Sequence, residues 1–334
     1  MEKKIKWGIM GPGNIAHKFV QSVKCIKDAE ITAVGSRSSM RATEFAAQYG
    51  ISRSYGSYRQ LADDPAVDIV YIATHNPAHY ECALLCLKAG KAVLCEKPFT
   101  LNAAQTEILI RTARESGIFL MEAMWMRYLP TIVKVRELIA IGVIGEIRMI
   151  KADFGINADW NPEGRLLNLK LGGGALLDVG IYPVSFSSMV FGPSPATIKG
   201  VAYLGATGVD EQFSAILGYE EGRLAVLSGA IRTTLPNEAW VIGTEGYLRI
   251  PSFWCSQRVE LYANSKTEQF NLPFTSTGYI HEAEEAMRCL RQGLTESNIM
   301  PLDESLKIMK ILDTLREQWG LRYPSGKNDS SDKK

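Results

Sequence analysis

Near its N-terminus the chain reads Lys4-Ile5-Lys6-Trp7-Gly8-Ile9-Met10-Gly11-Pro12-Gly13-Asn14-Ile15-Ala16. An apolar run over 4–10, two glycines one residue apart and an amphipathic stretch over 14–25 spell strand, tight turn and helix. Gly11 permits the turn, and Gly13 lets the backbone approach a pyrophosphate. The helix that begins Asn14-Ile15 offers that anion unpaired N–H groups and a positive dipole end. Ala16 stands where the third glycine of a dinucleotide fingerprint usually sits, and its small side chain preserves close helix–strand packing. Beyond this turn the alternation continues, with strands predicted at 29–36, 69–74, 92–95 and 119–122 and helices at 40–49, 77–89 and 102–116. Strict alternation requires right-handed crossovers and a parallel sheet covered on both faces. Residues 1–123 are therefore expected to form a doubly wound Rossmann domain of α/β class.

After about residue 150 the texture changes. Strands are predicted at 146–156, 197–204, 210–219, 223–232, 238–243, 246–250 and 257–262, several joined by glycine turns such as Tyr219-Glu220-Glu221-Gly222. Helices are predicted at 174–191, 280–292 and 305–318. Residues 124–323 are thus expected to be an α+β domain with a large, mainly antiparallel, open-faced sheet, for substrate binding and dimerisation. The polar stretch 324–334 is expected to be a disordered tail. So few helices cover only one sheet face, and Val201, Tyr203, Leu224, Val226 and Ile231 are candidates for the other. An apolar face of that size exceeds what a soluble monomer tolerates, so a homodimer or a dimer of dimers is expected.

A chain of 334 residues is long enough for two folding units. Lys+Arg 37 against Asp+Glu 36 leaves a net charge of +1, which argues against nucleic acid as a partner. Hydrophobic content of 46% and charged content of 22% are ordinary for a globular protein, and no apolar run looks long enough for a bilayer. Residues 1–8 show no apolar segment of a secretory signal, and the six cysteines make no C-x-x-C, so reduced thiols and a cytoplasmic location are expected. The four histidines have no metal-ligand spacing, and no metal is expected.

The second strand ends Gly35-Ser36-Arg37-Ser38, where an NAD site would carry an acid for the ribose 2′-hydroxyl. Ser36, Arg37 and Arg41 instead suit a 2′-phosphate, which points to NADP(H). Glu96-Lys97-Pro98 follows a strand at the carboxyl edge of the sheet, where a lysine can hold positive charge beside a developing alkoxide. Gly172-Gly173-Gly174 opens a helix on which Asp178 and Tyr182, four apart, share a face.

Together with Thr74-His75-Asn76-Pro77-Ala78-His79, these motifs resemble the glucose-fructose oxidoreductase and inositol dehydrogenase (Gfo/Idh/MocA) family over residues 3–325. Many members carry Asp-x-x-x-His where this chain has Asp178 and Tyr182. It is similar instead to the dimeric dihydrodiol dehydrogenases and NADP-dependent xylose dehydrogenases of that family, as are Trp125, Arg127, Arg148, Phe154 and Trp254. The resemblance implies hydride transfer between nicotinamide and the carbinol carbon of a sugar, polyol or trans-dihydrodiol. Tyr182 would be the general acid and base, Lys97 would lower its pKa, and Asp178 would anchor a neighbouring hydroxyl. Thr74, His75, Asn76, His79, Glu96, Lys97, Trp125 and Arg127 would line the cofactor site, and Trp125, Arg148, Phe154 and Trp254 the substrate site. The competing reading is a dinucleotide-sensing regulator of the same fold, which need not keep Lys97, Asp178 and Tyr182 together.

Overall fold

A computed structural model describes residues 4–324. The first half runs β1 (Ile5–Met10), α1 (Asn14–Val23), β2 (Ala29–Gly35), α2 (Ser39–Tyr49), β3 (Arg53–Tyr55), α3 (Tyr58–Ala62), β4 (Ile69–Ile72), α4 (Asn76–Lys88), β5 (Ala92–Glu96), α5 (Ala103–Ser116) and β6 (Leu120–Ala123). Its six strands are all parallel, in the order β3-β2-β1-β4-β5-β6. β4 and β6 are buried at every position, as strands sandwiched between two helix layers must be. The strand order reverses between β1 and β4, so the turns after these two strands open the crevice in which such sheets bind ligands. The short β3 and α3 were not expected, because three and five residues are too few to display a period.

The second half runs α6 (Pro130–Ala140), β7 (Ile147–Gly155), α7 (Ile181–Phe191), β8 (Thr197–Leu204), β9 (Asp210–Gly218), β10 (Leu224–Ala230), β11 (Glu238–Gly243), β12 (Gly246–Pro251), β13 (Arg258–Ala263), β14 (Lys266–Asn271), α8 (Ile280–Arg291) and α9 (Leu302–Trp319). Eight strands form one sheet, β14-β13-β12-β11-β7-β10-β9-β8, antiparallel except where β7 meets β10. Helix α6 was not expected; its Ile132, Val133 and Val135 favour strands, and proline at its first turn and burial of one face override that preference.

Alternation along β8, β9 and β10 buries Phe213, Ala215, Leu217, Ala225 and Leu227 under the helices. It turns Val201 (77% exposed), Tyr203 (60%), Ile216 (49%), Leu224 (38%) and Val226 (36%) to the other face. Ile231 is not among them: it lies past the end of β10 and is fully buried. Of the polar stretch expected to be disordered, residues 325–334 lie outside the described residues.

The helix expected over 174–191 is broken into a π-helical turn, Leu176–Gly180, and α7. A Cβ on Gly180 would lie 2.5 Å from the Phe213 ring, so glycine there lets the turn settle on β9. Its start is tied down by the Leu176 N–H, which donates to Asp210 Oδ2 at 2.6 Å, and by the Tyr323 hydroxyl, which donates to the Gly173 carbonyl at 2.6 Å. The stretch Leu169–Phe191 is, contrary to expectation, long and apolar enough to span a bilayer, but 83% of its most apolar window is buried within the fold. It is a core segment.

Candidate active site

The crevice floor is the β1–α1 turn. Gly11 adopts φ +93°, and a Cβ on it would meet the Ala73 carbonyl at 3.0 Å, so the β1 and β4 turns touch here because the residue is glycine. Gly13 faces open space, with only the Ala73 carbonyl at 3.9 Å from a built Cβ. No acidic residue occupies the first turn of α1, and its N-cap accepts no side-chain bond. Ser36 is buried at the end of β2, its Oγ accepting from the Ser38 N–H at 3.2 Å. Arg37 and Arg41 are exposed beside it, and Arg41 Nη2 donates to the Pro12 carbonyl at 3.3 Å. Burial, and then the charges of Arg37, Arg165 and Arg41, depress the pKa of His75.

Asn76 Nδ2 donates to the Gly172 carbonyl at 3.2 Å, joining the crevice to the glycine run before the π-turn. His79 is buried with Nδ1 2.8 Å from the Pro98 carbonyl and Nε2 3.0 Å from that of Thr74. Burial pushes its pKa down to about 4, so the ring is neutral at pH 7 and donates to only one of these carbonyls. It braces the Thr74 and Pro98 backbones. Glu96 accepts from the Tyr71 hydroxyl within the core.

Lys97 is where the two halves meet. Its Nζ donates to the Asp178 carbonyl at 2.8 Å, stands 3.7 Å from Asp178 Oδ1 and lies 4.9 Å from the centroid of the Tyr182 ring. Arg165 Nη1 donates to Asp178 Oδ1 at 2.6 Å. Burial alone would raise the Asp178 pKa, but the charges of Lys97 and Arg165 outweigh it and hold the carboxyl below its ordinary range. The Tyr182 hydroxyl accepts from Trp125 Nε1 at 3.0 Å. Burial, and then the charge of Glu96, raise this phenol well above the ordinary tyrosine value, with the Trp125 bond opposing them. The expected lowering by Lys97 is thus not the dominant effect: its ammonium addresses the ring face and gives its hydrogen bond to Asp178.

Around Tyr182 the aromatic side chains close a wall. Phe154 stacks on Trp254 at 4.7 Å and meets the Tyr182 ring edge-on at 5.5 Å; Trp125 stacks on Tyr279 at 4.5 Å. Trp125, Phe154 and Trp254 are therefore brought together as expected, whereas Tyr279 was not anticipated.

Two expected site residues lie elsewhere. Arg127 is 1% exposed, and its guanidinium donates to Ser185 Oγ at 3.0 Å, the Ser185 carbonyl at 2.8 Å, Glu304 Oε1 at 2.6 Å and the Ile299 carbonyl at 3.2 Å. It ties the 3-10 turn Trp125–Tyr128 to α7 and α9, with four of its five N–H donors committed inside the fold. Arg148 shares the parity of Phe154 on β7, but six residues separate them by about 20 Å of strand. There it pairs with Glu146 at 2.7 Å on the surface. In the other direction, sequence reading passed over Arg165, Asp210 and Tyr323. They belong to no motif, and only the tertiary fold brings them to Asp178 or to the turn that carries it.

Residues 5–124 match the oxidoreductase family with an NAD-binding Rossmann fold, and residues 132–249 match the GFO/IDH/MocA C-terminal domain. Over 330 residues the chain is 41% identical to a trans-1,2-dihydrobenzene-1,2-diol dehydrogenase of Xenopus tropicalis, covering 96% of this chain and 99% of that one. The corresponding human protein is 38% identical over 335 residues, with 97% and 99% covered. A 3-ketoreductase from Actinomadura kijaniata, solved with NADP and TDP-benzene, superimposes with a TM-score of 0.84 at 28% identity over 94% of this chain and 98% of that one. An aldose-aldose oxidoreductase from Caulobacter crescentus, at 23% identity, shares the fold with a TM-score of 0.87 over 95% of this chain and 98% of that one. From both matched segments and from near full-length identity, this chain belongs to the GFO/IDH/MocA family of oxidoreductases.

Proposed function

We propose that this oxidoreductase transfers hydride between NADP(H) and the carbinol or carbonyl carbon of a sugar, polyol or trans-dihydrodiol. The observation that carries the reading is the convergence of Asp178, Tyr182 and, through Tyr182, Trp125 on Lys97, at the carboxyl edge of the parallel sheet. The dihydrodiol dehydrogenase relatives and the NADP-containing 3-ketoreductase support it. The test is a panel of aldoses, polyols, 1,2-dicarbonyls and dihydrodiols, followed by nicotinamide absorbance with NADP(H) and NAD(H). Turnover of at least one of them with NADP(H) is expected, and inertness toward all of them would overturn the reading.

The crevice suits a dinucleotide phosphate: Gly11 and Gly13 leave the backbone approachable, and Arg37 and Arg41 supply guanidinium groups where an NAD site would have an acid. When bound, NADP(H) supplies the hydride acceptor or donor. Tyr182, protonated at neutral pH, would give its phenolic proton to the developing alkoxide when a carbonyl is reduced, and in its ionised form would take the hydroxyl proton when an alcohol is oxidised. Lys97 stabilises negative charge on the reacting oxygen, and Asp178 accepts a hydrogen bond from a neighbouring hydroxyl. Trp125, Phe154 and Trp254 cover an apolar ring face and exclude water.

Arg37→Ala should weaken NADPH binding by about 10 to 100-fold through loss of a charge-assisted contact, and leave NADH nearly unaffected. Fluorescence titration with both cofactors distinguishes this from equal loss for both, which would mean that Arg37 acts through folding. The exposed Val201, Tyr203, Ile216, Leu224 and Val226 favour a homodimer, or a dimer of dimers, packed sheet to sheet. Light scattering should give at least twice the single-chain mass at micromolar concentration, and a monomer would remove this part of the reading.

A further inference from the structure

We propose that Arg165 determines specificity at this site: with Asp178 it forms a donor–acceptor pair that recognises the second hydroxyl of a vicinal diol. The inference deepens the function proposed above and rests on it.

Arg165 approaches Asp178 with both terminal nitrogens, Nη1 at 2.6 Å from Oδ1 and Nη2 at 3.5 Å from Oδ2. These two contacts occupy two of its five N–H donors, and its side chain remains 55% exposed while that of Asp178 is 12% exposed. The carboxylate is the inner member of the pair and the guanidinium the outer one. A hydroxyl donates one hydrogen and accepts at its oxygen, so a neighbouring acceptor and donor satisfy both of its roles. The hydroxyl on the reacting carbon belongs to Tyr182 and Lys97; the one on the adjacent carbon meets Asp178 as acceptor and Arg165 as donor. An isolated alcohol has nothing to offer this pair.

The segment carrying Arg165 is fixed on both sides, which a discriminating contact needs. The Gly164 N–H donates to the Asn161 carbonyl at 2.9 Å, the Asn168 N–H to the Gly164 carbonyl at 3.0 Å, and the Gly174 N–H to the Leu166 carbonyl at 2.9 Å. Gly173 is pressed so closely on this segment that a Cβ would lie 2.6 Å from the Leu166 carbonyl and 2.9 Å from that of Arg165 itself. Through Asn76 and Gly172 the same segment is anchored to the nucleotide crevice. Charge supports the assignment: with Lys97 on one side, Arg165 helps hold the Asp178 carboxyl below its ordinary range, so the acceptor stays ionised. Tyr182 and Tyr323 are the other titratable groups that interact with Asp178, and Arg165, with Arg37 and Arg41, also acts on His75.

The test compares trans-cyclohexane-1,2-diol with cyclohexanol, using NADP+ and the full-length wild type, Arg165→Met and Arg165→Lys. Arg165→Met should reduce kcat/KM for the diol about 10 to 100-fold more than for cyclohexanol, mainly through KM, because one charge-assisted bond is lost only by the diol. Arg165→Lys should recover part of the difference, since it keeps the charge without the planar fork. The acid limb of the diol kcat/KM profile should move to higher pH in Arg165→Met, as Asp178 loses a cation that favours its ionised form; a purely structural role would not move it. Equal losses on both substrates, unchanged selectivity, or a matching loss of NADPH affinity would overturn the inference while leaving the function standing. A wild type that oxidises neither diols nor sugars with NADP+ would overturn both.

Discussion

Tyr182→Phe and Lys97→Met are each expected to lower turnover by about 10² to 10⁴-fold while NADPH binding changes little. The expectation follows from their positions. The Tyr182 hydroxyl is held by a single donor, Trp125 Nε1, and Lys97 lies against the same ring. Tyr182→Phe removes the bond from Trp125 and Lys97→Met the bond to the Asp178 carbonyl, neither of which is made by the β1–α1 turn. The two losses should be strongly non-additive, because both groups serve one proton transfer, so the double variant should be little worse than the poorer single variant. Because the phenol sits well above its ordinary value, carbonyl reduction by the wild type should keep its proton donor across the neutral range and lose it only in strong alkali. Steady-state kinetics on the best substrate, paired with fluorescence titration of NADPH, checks all of this. Near-normal turnover by Tyr182→Phe would take the tyrosine out of the mechanism and leave Lys97 as the proton donor.

Arg127→Met should destabilise the protein by about 3 to 5 kcal/mol, because it strands Glu304 in a largely buried position without its cation. Adding Glu304→Gln should return part of that loss, since an unpaired buried charge is the larger share of the cost. The sign of the pH dependence is fixed by Glu304. Burial would raise its pKa, but the hydrogen bond and charge of Arg127, together with Ser188, hold it below the ordinary value. The pair therefore stabilises the fold above the unfolded carboxyl value, about pH 4, and this contribution fades as pH falls through the lower folded value. Urea denaturation of the wild type and variant at neutral and acidic pH measures the difference. Folded Arg127→Met that had lost NADPH affinity without losing stability would restore Arg127 to the cofactor site.

The contrast between Arg127 and Trp125 explains much of what could be read from residues alone. Both belong to one motif, but a 3-10 turn advances about 120° per residue, so positions two apart face different directions. Trp125 meets Tyr182, and Arg127 points into the junction of α7 and α9. Arg148 failed for a different reason: strand parity identifies a face but not a distance along it. The parallel sheet was legible because its strands are near-continuous apolar runs separated by amphipathic helices, and the glycine turn because Gly11 has a steric reason to be glycine. In the second half, Thr197–Leu204 and Glu238–Gly243 coincide with the predicted strands, since one-sided burial imposes a two-residue period. β14 (Lys266–Asn271) was missed because its residues are almost all exposed and no period is imposed. Arg165 lies in a polar stretch whose shape comes from backbone bonds to its own glycines, and periodicity carries no record of such a loop.

A substrate deuterated at the carbinol carbon, oxidised with NADP+ by the wild-type enzyme, reports whether this crevice carries out the proposed chemistry. Direct hydride transfer predicts that the label is recovered at C4 of the reduced nicotinamide, as read by mass spectrometry and proton NMR. NADP(H) binding without any labelled or unlabelled reduced cofactor, across sugars, polyols and dihydrodiols, would contradict the account and leave a dinucleotide sensor in its place.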